Sequence, residues 1–172
     1  MSGFQAMAEA WRDRIYSFAY YSLGSREEAE DVTQEVLVRL WQHWPTLSDG
    51  HTVPWLIRVA RNACLDVHRR RQTRTAFAAN HSDDCPVNPS PVADDPDAIL
   101  ERQEFRKQVE TALHEIEEPY RSIVILREIE TLSYAEIADA LALPLNTVKV
   151  YLHRGRRRLR ELLKEEYAHG TL

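Results

Sequence analysis

Apolar side chains return every three or four residues along most of the chain, and the two-residue alternation of a strand is essentially absent. The pattern predicts an all-α protein. A first helix is expected from about Trp11 to Leu23, stopping before Gly24, a residue suited to helix C-termini. Ser25 and Glu28 have the spacing of a capping box. They open a second helix whose apolar stripe is Ala29, Val32, Val36, Leu37, Leu40 and Trp41. A third helix is expected from about Pro54, burying Leu56, Ala60, Ala63 and Val67. These segments form one helical domain over residues 1–75.

The pattern then breaks. Residues 78–97 hold Pro86, Pro89, Pro91 and Pro96 among Asp, Asn and Ser. Such a stretch buries too little apolar surface to offset its ordering entropy, so residues 76–98 read as a flexible acidic linker. Helical spacing resumes with Phe105, Val109, Ala112 and Ile116. Pro119 suits the first turn of a helix carrying Ile123, Val124 and Leu126. Ser133 with Glu136 forms a second capping box, and helices at about 134–141 and 145–165 complete a four-helix domain over 99–172. A length of 172 residues accommodates two such domains of about 80 residues each.

The chemistry of the chain excludes several classes. Apolar runs such as Ile123 to Leu126 are too short to cross a bilayer, and no basic flank precedes an apolar N-terminal core; a cytoplasmic protein is expected. Cys64 and Cys85 make neither a disulfide framework nor a C-x-x-C pair, and His81 near Cys85 supplies too few ligands for zinc. There is no Gly-rich phosphate loop, no G-x-S-x-G elbow and no H-E-x-x-H. No catalytic activity, cofactor, metal or small-molecule substrate is expected.

Charge changes the picture most. The net charge of −5 argues against a nucleic-acid partner, but its distribution does not. Arg58, Arg61, Arg69, Arg70, Arg71 and Arg74 face a single acid, Asp66, within their stretch. Lys149, Arg154, Arg156, Arg157, Arg158 and Arg160 have no acid among them. Asp83, Asp84, Asp94, Asp95 and Asp97 lie between the two blocks.

Residues 132–159 have the pattern of a helix-turn-helix. Ile137, Ala138 and Leu141 line one short helix, Ala142-Leu143-Pro144 break it, and Val148, Leu152 and Leu159 face inward from the next. Lys149, His153 and Arg157 then share an outward face with Val150 and Arg154 nearby, placed for base edges and phosphates. The alternative is a solvated basic helix end. In the third helix, Arg58, Arg61, Asn62, Leu65 and Arg69 lie opposite the apolar stripe, a combination suited to single-stranded DNA or else to a solubilising surface. Trp55 either stacks on a base or packs in the core. On the second helix, Asp31, Gln34, Glu35, Arg39 and Gln42 ring Val38; this is either a protein-docking centre or an unremarkable exposed valine.

At these residues the chain resembles the sigma-70 superfamily, in its extracytoplasmic-function group. Ala29 to Val36 with Arg39, Leu40 and Trp41 is similar to the segment that docks on the β′ clamp helices of RNA polymerase. The resemblance therefore implies a core-polymerase interface at Asp31, Gln34, Glu35, Val38, Arg39 and Gln42. Trp55 to Arg58 with Ala60-Arg61-Asn62 is similar to the element that melts and reads the −10 strand. That implies −10 contacts at Trp55, Arg58, Arg61, Asn62, Asp66, Arg69 and Arg70, with the loop from about Trp44 to Thr52 helping to hold a flipped base. The helix-turn-helix resembles the domain that reads the −35 duplex, implying contacts at Asn146, Thr147, Lys149, Val150, His153, Arg154 and Arg157. Further partners implied are the β flap and an anti-sigma protein, often membrane-anchored. Family members commonly have glycine in the turn, where this chain has Ala142; a left-handed backbone there costs about 1 kcal/mol. Two rival readings remain at this point: a conventional regulator that binds its operator without polymerase, and a sigma mimic or anti-sigma partner that never touches DNA.

Overall fold

A computed structural model of the chain describes residues 2–47, 50–77 and 96–169. Its helices are α1 (Ser2–Leu23), α2 (Arg26–His43), α3 (Thr52–Phe77), α4 (Pro96–His114), α5 (Tyr120–Val124), α6 (Tyr134–Leu141) and α7 (Leu145–His169). A 3-10 turn follows α2 at Trp44–Thr46, and a π-helical turn follows α5 at Ile125–Ile129. No strand occurs among the described residues.

The punctuation follows the sequence closely. Gly24 ends α1 at φ 70°, its N–H donating to the Tyr20 carbonyl at 2.8 Å. Ser25 Oγ accepts from the Glu28 N–H, but the Glu28 carboxylate turns to Arg71 of α3, so only half of this capping box forms. The second box forms completely: Ser133 Oγ accepts from the Glu136 N–H at 3.2 Å, and Glu136 Oε2 accepts from the Ser133 N–H at 2.7 Å. These bonds hold the Glu136 carboxyl below the usual glutamate range. Ala142 takes φ 52°, the left-handed conformation its place in the turn requires.

Ile15, Phe18, Ala19 and Leu23 of α1 pack on Val32, Val36 and Leu40 of α2 and on Leu56, Ala60 and Ala63 of α3. Leu40 and Leu56 are fully buried, each contributing about 1.5–3 kcal/mol by removal from water. In the second half Ile116, Ile123, Ile125, Ile137, Val148 and Leu152 are sealed. Gly155 lets α7 press on α5: a Cβ there would lie 2.5 Å from Val124 Cγ2 and 3.3 Å from the Tyr120 carbonyl oxygen.

The two halves are not separate. α3 lies against α6 as well as against α1 and α2, and α1 touches α4. Phe18, Leu56, Ile57 and Ala60 meet Leu126 and Leu132 across a small apolar seam.

The structure corrects several boundaries and positions. α1 begins well before Trp11 and α3 at Thr52 rather than Pro54. Ile57 and Cys64 join the buried stripe of α3, because this helix has neighbours on two sides. α3 runs to Phe77 and α4 starts at Pro96, so both enter the stretch expected to be linker, while residues 78–95 lie outside the described chain. His81, Cys85 and most of the acidic strip fall there. Trp41 is 64% exposed rather than buried; it stands beside Leu40 but three residues after Val38, whose face it shares. Phe105 is 50% exposed, because its neighbours Arg106 and Glu110 make the contact with α1 at Tyr20 and Tyr21.

Two substitutions test this packing by chemical denaturation. Ala142→Gly removes a strained left-handed alanine and is expected to stabilise the fold by about 1 kcal/mol. Gly155→Ala inserts a methyl where no space exists and should destabilise by about 1–3 kcal/mol. Equal stability of both variants and the parent would contradict the turn and the close approach of α5 and α7. Burial pushes the Cys64 thiol up to about 12, so thiol labelling of native protein at pH 8 should leave Cys64 unmodified on peptide mapping.

Candidate nucleic-acid interface

α7 presents the first surface. Val148 and Leu152 fix its inner side, leaving Asn146, Lys149, Val150, His153, Arg154 and Arg157 exposed and Thr147 half-buried. Leu143 N–H donates to the Ala138 carbonyl at 2.9 Å, closing the turn that sets α7 across α6. The cations are less free than their stretch of sequence suggested. Arg156 pairs with Glu128 of the π-helical turn at 2.6 Å, and Arg157 and Arg158 reach Glu161 at 3.0 and 3.8 Å. Among the described residues no ion pair engages Lys149, Arg154 or Arg160, so these carry the least compensated charge of the block.

α3 presents the second surface. Asn62, Arg69 and Arg70 are exposed, and Asp66 accepts from Arg69 at 2.9 Å. Trp55 is half-buried with its ring 5.4 Å from that of His43, a packing contact between α3 and the end of α2. Leu65, expected on the open face, is half-buried. Arg58 and Arg61 turn toward the second half. Arg58 donates to the carbonyls of Ala140 at 3.0 Å and Asp139 at 3.1 Å, at the negative end of α6. Arg61 meets Glu118 at 3.5 Å, with Arg61 Nε and Glu118 Oε1 buried and without a hydrogen-bond partner.

A third surface lies on α2. Val38 is 53% exposed, with Asp31, Gln34 and Gln42 exposed around it and Glu35 paired to Arg39. Trp41 extends the apolar centre. It was missed because its position was read as core, although the spacing from Val38 was the available signal. A groove of about 550 Å³ between α1 and α2, lined by Arg12, Tyr16, Thr33 and Gln34, adjoins this face.

Nothing in the sequence revealed the contacts that join the halves. Arg14 donates to the Glu130 carbonyl at 2.6 Å and to its carboxylate at 3.3 Å, and Tyr20 Oη donates to Glu110 at 3.1 Å. These partners are 116 and 90 positions apart. Among the described residues no three His, Cys, Asp or Glu side chains gather to hold a metal, and no helix is long and apolar enough to cross a membrane.

Comparison with known proteins gives these surfaces a context. Sigma-70 region 2 matches residues 7–75, and Sigma-70, region 4 matches residues 106–159. The chain is 32% identical over 170 residues to the ECF RNA polymerase sigma factor SigE of Mycolicibacterium smegmatis, covering 94% of this chain and 65% of that one. It is 31% identical over 153 residues to SigL of Mycobacterium tuberculosis, covering 88% and 83%. The chain thus spans just under two thirds of SigE and most of SigL. Among solved structures it superposes with a TM-score of 0.77 on the sigma factor RpoE of Bartonella quintana, crystallised with the anti-sigma factor NepR. That likeness, at 21% identity over 95% of this chain and 98% of the other, is one of fold.

The α3 surface makes a contrast that denaturation can read. Arg61→Ala leaves a half-buried carboxylate without its cation, with only the Ser122 hydroxyl still donating to it, and should cost about 1–3 kcal/mol. Asn62→Ala, one residue on and exposed, should stay within about 0.5 kcal/mol of the parent. Equal effects would contradict the placement of Arg61 against Glu118.

Proposed function

The chain belongs to the sigma-70 family, among the extracytoplasmic-function RNA polymerase sigma factors, and on that premise we propose how its surfaces divide the work of promoter recognition. It is an initiation factor rather than an enzyme. The Val38 and Trp41 face of α2, with Asp31, Gln34, Glu35, Arg39 and Gln42, docks on the β′ clamp helices of core polymerase. Two exposed apolar side chains in a polar rim have the make-up of a protein interface centre. The second half reaches toward the β flap, and α7 enters the major groove of the −35 duplex. Lys149, Val150 and His153 there approach base edges, while Arg154 and Arg157 neutralise phosphates. Asn146 and Thr147 stand at the start of the helix, where backbone N–H groups also favour phosphate.

On the melted −10 strand, Asn62 offers donor and acceptor to an unpaired base, and Arg58, Arg61, Arg69 and Arg70 track the backbone. Asp66 orients Arg69, and Trp55 supports the start of α3. Arg58 and Arg61 are engaged by the second half in the free chain, so −10 engagement requires the halves to part. Core polymerase, which binds the two halves at separate places, supplies that separation. An anti-sigma protein opposes it in this scheme, and a membrane-anchored one would couple an external signal to release of the factor in the cytoplasm.

The single observation that carries the reading is the exposed face of Lys149, His153 and Arg157 behind a fully capped turn. Transcription with core polymerase on a random promoter library tests it: purified chain should direct initiation, and core enzyme alone should not. Arg154→Ala is expected to weaken −35 binding about uniformly across promoter sequences and to lower the salt slope by about 1, as loss of one phosphate contact does, with core binding intact. Asn62→Ala should slow open-complex formation in footprinting while docking persists. Affinity for duplex should fall by about 0.9 log unit per neutralised phosphate for each log unit of salt. Operator binding in a gel shift without core enzyme would favour a conventional regulator instead.

A further inference from the structure

His68 of α3 and His114 at the end of α4 meet where the two halves join. His68 Nε2 lies 3.0 Å from the Ser22 carbonyl oxygen of α1 and also 3.0 Å from Arg121 Nη1 of α5. These contacts make opposite demands on one atom. Accepting from the guanidinium needs a bare nitrogen, whereas donating to Ser22 needs a protonated one. Arg121 is otherwise committed to its own half, donating to the carbonyls of Ile116 at 2.9 Å and His114 at 2.8 Å. His68 is therefore its link to the first half.

The His114 ring fills a slot made by Gly24. A Cβ on Gly24 would lie 2.1 Å from His114 Cε1 and 2.9 Å from Nε2. The ring bonds to the Tyr21 backbone, yet its Nε2 is buried with no hydrogen-bond partner. A proton added there would bring a charge with no acceptor.

The surroundings favour neutral rings. Arg121 from α5, and Arg71 from α3 in its pairing with Glu28 of α2, lie near both histidines. Glu118, facing His68 from the loop before α5, is occupied by Arg61 and by Ser122 Oγ at 2.6 Å. Glu110, one turn before His114, accepts from Tyr20 of α1 and from Arg106. Cys64 nearby stays a neutral thiol.

We propose that this junction is an acid-sensitive latch: neutral His68 and His114 close the two halves on each other, and proton uptake by the imidazoles opens them, freeing Arg58 and Arg61. The latch rests on the junction itself; its consequence for promoter binding rests on the function proposed above. Burial, then Arg121, holds His68 below its ordinary 6.5, and the same causes bring His114 to about 4. Parted, both rings regain the ordinary value. The closed form thus binds fewer protons than the open one. Its advantage is complete above about pH 6.5 and is lost as pH falls toward 4. From His114 alone, going from about pH 7.5 to about 5.5 shifts the balance toward the open form about ten-fold.

Small-angle X-ray scattering of the full chain across this range, with far-UV circular dichroism to verify intact helices, reads the opening directly. The parent should expand as pH falls, and His68→Gln/His114→Gln should keep one size throughout. An unchanged parent, or a double variant that expands in parallel with it, overturns the latch. Should the double variant already be expanded at pH 7.5, the imidazoles are required for closure, and NMR titration of the parent decides. Expansion that follows the protonation curves of His68 and His114 supports the latch, and expansion out of step with them overturns it. Transcription with core enzyme at pH 7.5 is independent: its failure overturns the function and leaves the scattering result standing.

Discussion

α3 has to satisfy two sets of neighbours at once, and the rest of the molecule is arranged around that demand. Its apolar side completes the core with α1 and α2, while Ile57 and the side chains beyond it meet Leu126 and Leu132 of the second half. A helix embraced on two sides retains only a narrow polar sector, and its arginines must find acceptors or water within that sector. Arg58 and Arg61 find acceptors across the seam, in the carbonyls that end α6 and in Glu118. Two arginines of the proposed −10 surface are therefore also donors across the seam between the halves. If that proposal holds, the same donors cannot serve both partners at once, and the closed form and the −10 complex exclude each other by hydrogen-bond stoichiometry.

Local signals in the sequence carried the fold a long way. The two Ser–x–x–Glu spacings, the glycine after Leu23 and the break at Ala142 to Pro144 each mark a helix end within a few residues of where it occurs. The outward row on α7 was equally legible, because Val148 and Leu152 leave only one side for Lys149 and His153. What failed was whatever depended on distant partners. Trp41 was placed in the core because periodicity alone does not say where a stripe's edge lies. Ile57 and Cys64 were left out of the core because nothing local announces a second neighbour. Half of the first capping box was lost because Glu28 found a stronger partner on α3.

Charge shows the same division. Counting cations along Lys149 to Arg160 suggested an uncompensated block, yet Glu128 and Glu161 temper three of its members. The tempered Arg156, Arg157 and Arg158 lie together, flanked by the less compensated Lys149 and Arg154 on the side of the turn and by Arg160 beyond. Fold geometry, more than composition, decides which part of a basic run remains available.

The diversion of Glu28 has a mechanical reading. By clasping Arg71 instead of its own first turn, this carboxylate bolts the beginning of α2 to the far end of α3, where Arg71 also donates to the Leu23 carbonyl at 2.9 Å. The two helices become the arms of a calliper whose hinge is pinned. The arm that bears Val38 and Trp41 thereby keeps a set attitude to the arm that bears Asn62.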